Sequence, residues 1–539
     1  MTATAAPRTS TTADRPRRHP FAQGALAGVV SGGLTLGVAE LVGALVSPES
    51  TPVIAVGRAF IERTPPWLKD FAVARFGTND KLVLLIGMTV VVALLSVAAG
   101  VVATQRFRLG LALVLGLDAV AVLASVTRPD AGRLAALPTV AGALAGAVAF
   151  GLLLTAIRRE TASAATSAAD ATTGTPASAG PVSRRHLLTG MVGTAAAAAA
   201  TGTGGRLLEG RSQGLDPAAA RLPAPIQPGP QLPPGATVDI PGITPFVTPN
   251  RDFYRIDTAL LVPRIDASTW RLRLHGMVDR ELVLSYADLL GLGLVERTIT
   301  LTCVSNEVGG TLAGNATWLG YPLADLLARV GVHPDADMLL SASGDGFTVS
   351  TPLSALTDGR DALLAVGMNG APLPAEHGFP ARMVVPGLYG YVSATKWVVD
   401  LEVTRFDRAS AYWTQRGYAA QAPIRTFSRI DVPKSFARLA AGPVAVAGMA
   451  WAQHRGIGSV QVRVDGGPWQ AARIGGGAGA QAALTDMWRQ WVWTWDATPG
   501  THLLEVRAAD GAGAVQPQQR RRPAPDGATG WHSVSVSVT

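Results

Sequence analysis

Apolar residues occupy four long runs near the start of the chain, at residues 21–47, 82–104, 109–126 and 137–157. Each approaches or exceeds the ~20 residues that a bilayer-spanning helix needs. The pattern predicts four transmembrane helices over 21–157, after a disordered N-terminal stretch, 1–20. Residues 158–182 are rich in Ala, Ser, Thr and Gly and read as a flexible linker. A fifth apolar, alanine-rich segment covers 183–205, and a Pro-rich extended linker covers 206–243.

Beyond residue 244 the runs shorten and the period changes. Alternation predicts strands at 270–274, 298–303, 338–341 and 383–385, with helices at 287–290 and 323–330. From about residue 443 the texture is all β, with strands at 443–451, 459–464, 502–507 and 533–538 and a turn at Asp465-Gly466-Gly467. Trp488, Trp491, Trp493 and Trp495 alternate in part and are assigned to the interior. Short strands with such turns predict an immunoglobulin-like β-sandwich over 426–539. The expected fold class is therefore multi-domain: an N-terminal all-α transmembrane bundle, an α+β domain over 244–425, and that sandwich.

Charge orients the spans. Arg15, Arg17 and Arg18 precede the first, Arg106 and Arg108 follow the second, and Arg158 and Arg159 follow the fourth. The positive-inside rule puts the N-terminus, that loop and the fourth exit in the cytoplasm. The fifth segment then carries everything after it outward. Its start, Ser183-Arg184-Arg185-His186-Leu187-Leu188, resembles a twin-arginine export signal. The alternative is an ordinary fifth span with basic flanks, and both readings place the C-terminal portion outside, as part of a multi-pass protein of the cell membrane. Glu40 and Asp118 fall inside spans, either as functional carboxylates or as protonated ones facing other helices. No histidine lies between residues 21 and 157, so these spans cannot hold a bis-histidine haem. The formal charge is +8. A single cysteine excludes zinc-finger spacing, and no aromatic-plus-basic RNA motif occurs, so no nucleic-acid partner is expected.

That cysteine, Cys303, ends a run in which Ile299 and Leu301 alternate with Thr298, Thr300 and Thr302. The run predicts a half-buried strand, and Ser305, Asn306, Gly309 and Gly310 predict a tight loop after it. A lone cysteine forms no intrachain disulfide, so its value lies in packing or in thiolate chemistry.

From about residue 244 to residue 539 the chain resembles the sulfite-oxidase family of molybdopterin enzymes. The resemblance is carried by Thr248-Pro249-Asn250 with Phe253-Tyr254-Arg255-Ile256-Asp257, and by Leu301-Thr302-Cys303-Val304-Ser305-Asn306. It continues in Met368-Asn369-Gly370, Pro372-Leu373-Pro374, His377-Gly378-Phe379-Pro380-Ala381-Arg382, Val385-Pro386-Gly387, Lys396-Trp397 and Gln415-Arg416-Gly417-Tyr418. It implies a molybdenum cofactor whose metal takes one protein thiolate, from Cys303. It implies that Arg382, Lys396 and His377 serve the pterin phosphate, and that Tyr254, Arg255, Asp257 and Asp345 hydrogen-bond the pterin. Tyr418 and Arg416 then face the substrate, and Cys303, Tyr418 and Arg416 form the catalytic set. The family's sulfite oxidases place an arginine before a tryptophan where this chain has Thr317-Trp318.

The resemblance also implies oxygen-atom transfer with a small sulfur-containing substrate or an N-oxide, and a homodimer formed through the C-terminal domain. No Cys-x-x-Cys-His occurs, so a separate cytochrome or quinone-linked protein is the expected electron partner. The rival expectation is a membrane-anchored binding or scaffold protein that keeps the fold without catalysis.

Overall fold

The computed structural model describes residues 20–46, 48–65, 68, 71–72, 75–76, 80–128, 131–173, 184–211 and 220–539. The chain divides into two compact units, Met1–Ser212 and Gln213–Thr539.

The first unit is helical: α1 (Pro20–Val46), α2 (Pro52–Arg63), α3 (Asp80–Gln105), α4 (Phe107–Val126), α5 (Leu137–Thr173) and α6 (Arg184–Arg211). Four of these, α1, α3, α4 and α5, are long and apolar enough to cross a membrane. Their large side chains point outward. Ile86, Val90 and Leu94 of α3, Val120 and Leu123 of α4, and Leu144, Val148 and Leu152 of α5 are all exposed. Helices that turn leucine outward and small residues inward are compatible with an apolar surrounding. α1 is the hub. A Cβ at Gly28 would collide with the Ser96 carbonyl of α3, and one at Gly37 with the Ala198 carbonyl of α6. On a third side, Gly142 and Gly146 of α5 meet Thr35 and Ser31 of α1 in the same way.

Three expectations change here. The stretch read as a linker from residue 158 is helical as far as Thr173. It is alanine-rich, and alanine is the strongest helix former. The fifth segment runs on to Arg211 rather than ending at 205, and it is not among the helices apolar enough to span. The stretch expected to be disordered lies, except for Pro20, outside the described residues, as do 174–182 of the expected linker.

The second unit begins with a strap rather than a free linker. Ile226 N–H donates to Leu294 O (2.8 Å), Glu296 N–H to Gln227 O (2.9 Å), and Val238 N–H to the Gln490 side-chain oxygen (2.6 Å). Proline keeps this segment extended, and its remaining donors and acceptors dock it on the folded surface.

Next come β1 (Arg271–Gly276), β2 (Leu282–Ser285), α7 (Tyr286–Gly291), β3 (Val295–Thr302), β4 (Ala313–Pro322) and α8 (Leu323–Val330). β5 (Met338–Ser343), β6 (Thr348–Pro352), β7 (Leu363–Met368), β8 (Ala371–Pro372), β9 (Arg382–Val384) and β10 (Val398–Thr404) complete this part. One sheet has the order β2-β1-β10-β5-β6; the other is β3-β4-β7-β8, with β9 paired to β7. α8 keeps Leu323, Leu326, Leu327 and Val330 on one buried face, the 3.6-residue pattern of its sequence.

β11 (Phe427–Val432), β12 (Arg438–Leu439), β13 (Gly442–Trp451), β14 (Ile457–Val464), β15 (Gln470–Ala471), β16 (Arg473–Ile474), β17 (Arg489–Ala497), β18 (Gly500–Asp510) and β19 (His532–Val538) follow. They form two sheets, β11-β13-β17-β16 and β12-β19-β18-β14-β15. Val446, Trp491 and Trp495 of the first pack with Val462, Leu504, Val506 and Val536 of the second. The result is a two-sheet sandwich.

β3 departs from the half-buried expectation. From Ile299 onward both faces are covered, and Thr300 and Thr302 are 0% exposed. The sandwich seals the threonine face. Trp488 N–H donates to Thr300 Oγ1 (2.8 Å), that hydroxyl donates to Asn315 Oδ1 (2.9 Å), and Gln453 Nε2 donates to Thr300 O (2.9 Å). Threonine is tolerated there because both buried hydroxyls have partners.

Candidate active site

The strand signal ends at Thr302, and Cys303 is the first residue beyond it. Its N–H donates to Leu312 O (2.9 Å) and its carbonyl accepts from Asn306 N–H (3.0 Å), which closes the turn. Asn306 Oδ1 accepts from Leu312 N–H (2.8 Å). The loop is also gripped from the sandwich. Gly309 has φ +80 and packs so tightly on the His532 ring that a Cβ would collide with it. Arg429 Nη1 donates to Gly310 O (2.8 Å).

Cys303 opens into a cleft of about 130 Å³. The same cleft is lined by Tyr254, Asp257, Asp345, His377, Arg382, Lys396 and Tyr418, residues scattered over more than 160 positions of sequence. Two other expected site residues are not in its lining. Arg255 sits behind, with its Nε 2.8 Å from Asp257 Oδ2. Arg416 stacks its guanidinium on the Tyr412 ring at 3.6 Å and donates to Tyr412 O (2.8 Å). Thr317 is turned away as well, toward the Thr298 hydroxyl at 3.0 Å.

The polar side of the cleft is organised by burial. Arg382 is 5% exposed, donates to His377 O (3.1 Å), and lies 5.0 Å over the Trp318 ring. Burial lowers its pKa to about 10, so it stays charged, and no carboxylate pairs with it among the described residues. Lys396 differs: its Nζ is 2.7 Å from Asp257 Oδ2 and 3.1 Å from Glu376 O. Burial brings its pKa down to about 8, with Asp257 opposing. It is therefore half of a buried ion pair, where the resemblance implies a cation for the phosphate. His377 also departs from expectation. Its Nε2 lies 2.9 Å from the Asn250 carbonyl, which can only accept, so that nitrogen carries the proton. Burial lowers its pKa to about 4, and the neutral ring's second nitrogen is an acceptor.

Burial pushes the Cys303 thiol up, while the N–H and hydroxyl of Ser305 act the other way by favouring the thiolate. Tyr254 is pushed up by burial and then by Cys303. Ser305 was legible as a loop former and as part of the Leu301–Asn306 motif, not as a donor to the thiol. Tyr391, Phe347 and Trp413 also line the cleft and carry no polar motif that singles them out. Trp397, beside Lys396, has φ +51 and donates to Ala375 O (2.7 Å). A bulky residue in the left-handed region is uncommon, and such outliers gather at functional sites.

Comparison with known proteins gives the geometry its context. Residues 259–413 match the family model described as oxidoreductase molybdopterin binding domain. Human mitochondrial sulfite oxidase is 29% identical over 317 residues, covering 50% of this chain and 57% of that protein. Chicken sulfite oxidase is 30% identical over 319 residues, covering 50% of this chain and 68% of that protein. The chain belongs to the sulfite-oxidase family of molybdopterin-binding oxidoreductases. An uncharacterized oxidoreductase of Bacillus subtilis, YuiH, is 32% identical over 153 residues, covering 28% of this chain and 74% of that protein. The chain spans 57% of the length of the human relative. Among solved structures, the sulfane dehydrogenase SoxCD of Paracoccus pantotrophus is similar over 55% of this chain and 82% of that chain, at 26% identity and a TM-score of 0.48.

The family's cofactor is molybdenum held by a pterin, and the residues present fit it. A buried thiol with two donors from Ser305 suits a soft metal that needs a thiolate. A buried guanidinium without a carboxylate suits a terminal phosphate.

Proposed function

We propose that this is a membrane-anchored molybdenum-cofactor oxidoreductase that moves an oxygen atom to or from a small sulfur compound or N-oxide. The carrying observation is that Cys303, Arg382 and the Lys396–Asp257 pair share one cleft. When bound, the cofactor supplies two-electron oxygen-atom chemistry. In oxidation the substrate gains the oxygen of one water molecule and releases two electrons and two protons; reduction is the reverse. Electrons pass to or from a separate cytochrome or quinone-linked protein.

The chain's own residues bind, orient and exclude water. Cys303 offers its sulfur as the ligand, with Ser305 holding the charged form. Arg382 takes the phosphate. Asp257, fixed by Lys396 and Arg255, and Asp345 address the pterin. Tyr418 presents a phenol to the substrate. Cys303→Ser in the full-length protein is expected to keep the pterin and lose turnover, read by metal analysis, pterin fluorescence and kcat. Full activity in that variant removes Cys303 from the ligand role.

The arginines at 106, 108, 158 and 159 support an outward-facing β-rich unit. Arg184 and Arg185, at the start of α6, support twin-arginine export. Changing both to lysine is expected to leave residues 220–539 inside, where external protease cannot reach them; normal export refutes the signal. The two-sheet module supports an immunoglobulin-like assignment and a homodimer formed through it, checked by the mass of the detergent-solubilised protein.

A further inference from the structure

The helical unit carries a second cavity, far from any chemistry described above. It is a groove of about 430 Å³ along α5, against about 130 Å³ for the Cys303 cleft. Ala147, Gly151 and Thr155 recur along it at four-residue spacing, so they share one side of the helix. Val148 and Leu152 stand beside them, both exposed, and Arg159 ends the groove. From Ala147 to Arg159 the helix rises about 18 Å at 1.5 Å per residue. That is close to half of the ~30 Å hydrocarbon core of a bilayer.

The groove is apolar and open along its length. Thr155 Oγ1 donates to Gly151 O (2.6 Å), so its hydroxyl is already satisfied within the helix. Gly142 and Gly146 of the same helix are explained by α1, into which a Cβ at either would collide. Gly151 differs: a Cβ there meets nothing within 4 Å. Glycine is a poor helix former, and here no neighbour in the chain requires it. The room it leaves belongs to the groove.

The charge lies at one end only. Residues 105–110 and 155–160 hold four arginines, Arg106, Arg108, Arg158 and Arg159, and one carboxylate, Glu160. Glu160 Oε2 accepts from Gln23 Nε2 of α1 (3.4 Å). The Arg158 guanidinium lies 5.6 Å over the ring of Phe107, which also lines the groove. The basic start of α4 and the basic turn of α5 therefore meet at the Arg159 end. A ligand that fits has one anionic group for the arginines and a long apolar chain for the trough.

Resting on the membrane-anchored reading, we infer that this groove is a site for one anionic phospholipid of the leaflet at the Arg159 end. Its phosphate is held by Arg159 with Arg106, Arg108 and Arg158 around it, and an acyl chain lies along Ala147, Gly151 and Thr155. Basic pockets between membrane helices recognise anionic headgroups by this combination of charge and apolar contact. Positive-inside charge makes that leaflet the cytoplasmic one.

The test uses the full chain, solubilised in a neutral detergent and stripped of lipid, with bound lipid counted by native mass spectrometry. Phosphatidylglycerol and phosphatidylcholine of the same acyl chains are titrated separately. One phosphatidylglycerol is expected to bind with a Kd roughly tenfold below that of phosphatidylcholine, the worth of one or two arginines beside an anionic headgroup. Arg159→Gln is expected to shrink that ratio to about threefold or less. Gly151→Leu is expected to lose the tight lipid, while the stripped variant melts no lower than the native chain, because the added side chain meets no neighbour. Gly116→Leu, at an equally open glycine of α4 outside the groove, is expected to leave lipid binding unchanged. Excess inorganic phosphate is expected not to displace the lipid; displacement shows a site for the headgroup alone and overturns the inference. Equal affinity for the two lipids overturns it too, as does tight binding that survives Gly151→Leu. A chain that alkaline carbonate extracts from membranes defeats the membrane reading beneath it. A chain that resists extraction and prefers neither lipid defeats this inference alone.

Discussion

The helical unit and the β-rich unit hold together by opposite means. In α1 the contacts are made by what is missing: Gly28 and Gly37 let backbones touch where a methyl group would not fit. In the β-rich unit the contacts are made by bulk, with Trp270, Trp318, Trp397 and Trp488 fully buried. Each of those indoles has its N–H on a backbone carbonyl: Val398, Ile299, Ala375 and Phe246 respectively. A helix satisfies its own backbone, so close approach suffices when the surrounding is as apolar as leucine. A sheet packed away from water gains from large apolar area, and its polar groups need named partners.

Variants can break this contrast. The largest effect is expected from Arg382→Met. Cofactor occupancy should fall by roughly ten- to a hundredfold as a charge-assisted phosphate contact is lost. The apo-protein's melting temperature should hold or rise, because a buried cation without a carboxylate has gone. A fall in both instead would make Arg382 a structural residue. Next is Gly28→Leu, which should destabilise the helical unit by about 3 kcal/mol through overpacking against Ser96. Molybdenum per folded molecule should not change; thermal unfolding in detergent with metal analysis reads both.

Thr300→Val should cost about 2 kcal/mol, since it leaves the buried Trp488 N–H without an acceptor. Chemical denaturation of the full chain checks it. The smallest effect is a pH slope. Burial lowers the His532 pKa to about 4 in the folded protein, against 6.5 for an unperturbed ring. Between those values the unfolded chain binds a proton that the folded one refuses. Stability is then fully present above pH 6.5 and declines as pH falls toward 4. His532→Asn keeps an acceptor for the Ile430 N–H and should flatten that part of the slope.

Much of this was legible in residue order. The four apolar runs coincide with α1, α3, α4 and the first part of α5, because length and hydropathy alone define a span. The helix at Leu323–Val330 follows from spacing that buries one face. The cleft residues were legible as motifs, though not as partners. Nothing local says that Lys396 will meet Asp257 across 139 positions, or that His377 will direct its proton to Asn250. The two-sided burial of β3 was hidden for the same reason: the cover over Thr300 arrives from Trp488. Arg416 shows the converse, a motif position whose side chain is claimed by its neighbour Tyr412.

His532 and Arg429 grip the glycines just after the thiol, and both are made by the ribosome long after those glycines. The pocket therefore acquires its final shape only when the distal module has been synthesised and folded. Synthesis is thereby ordered in time: until residues 429 and 532 have been made, the thiol loop lacks both of these contacts.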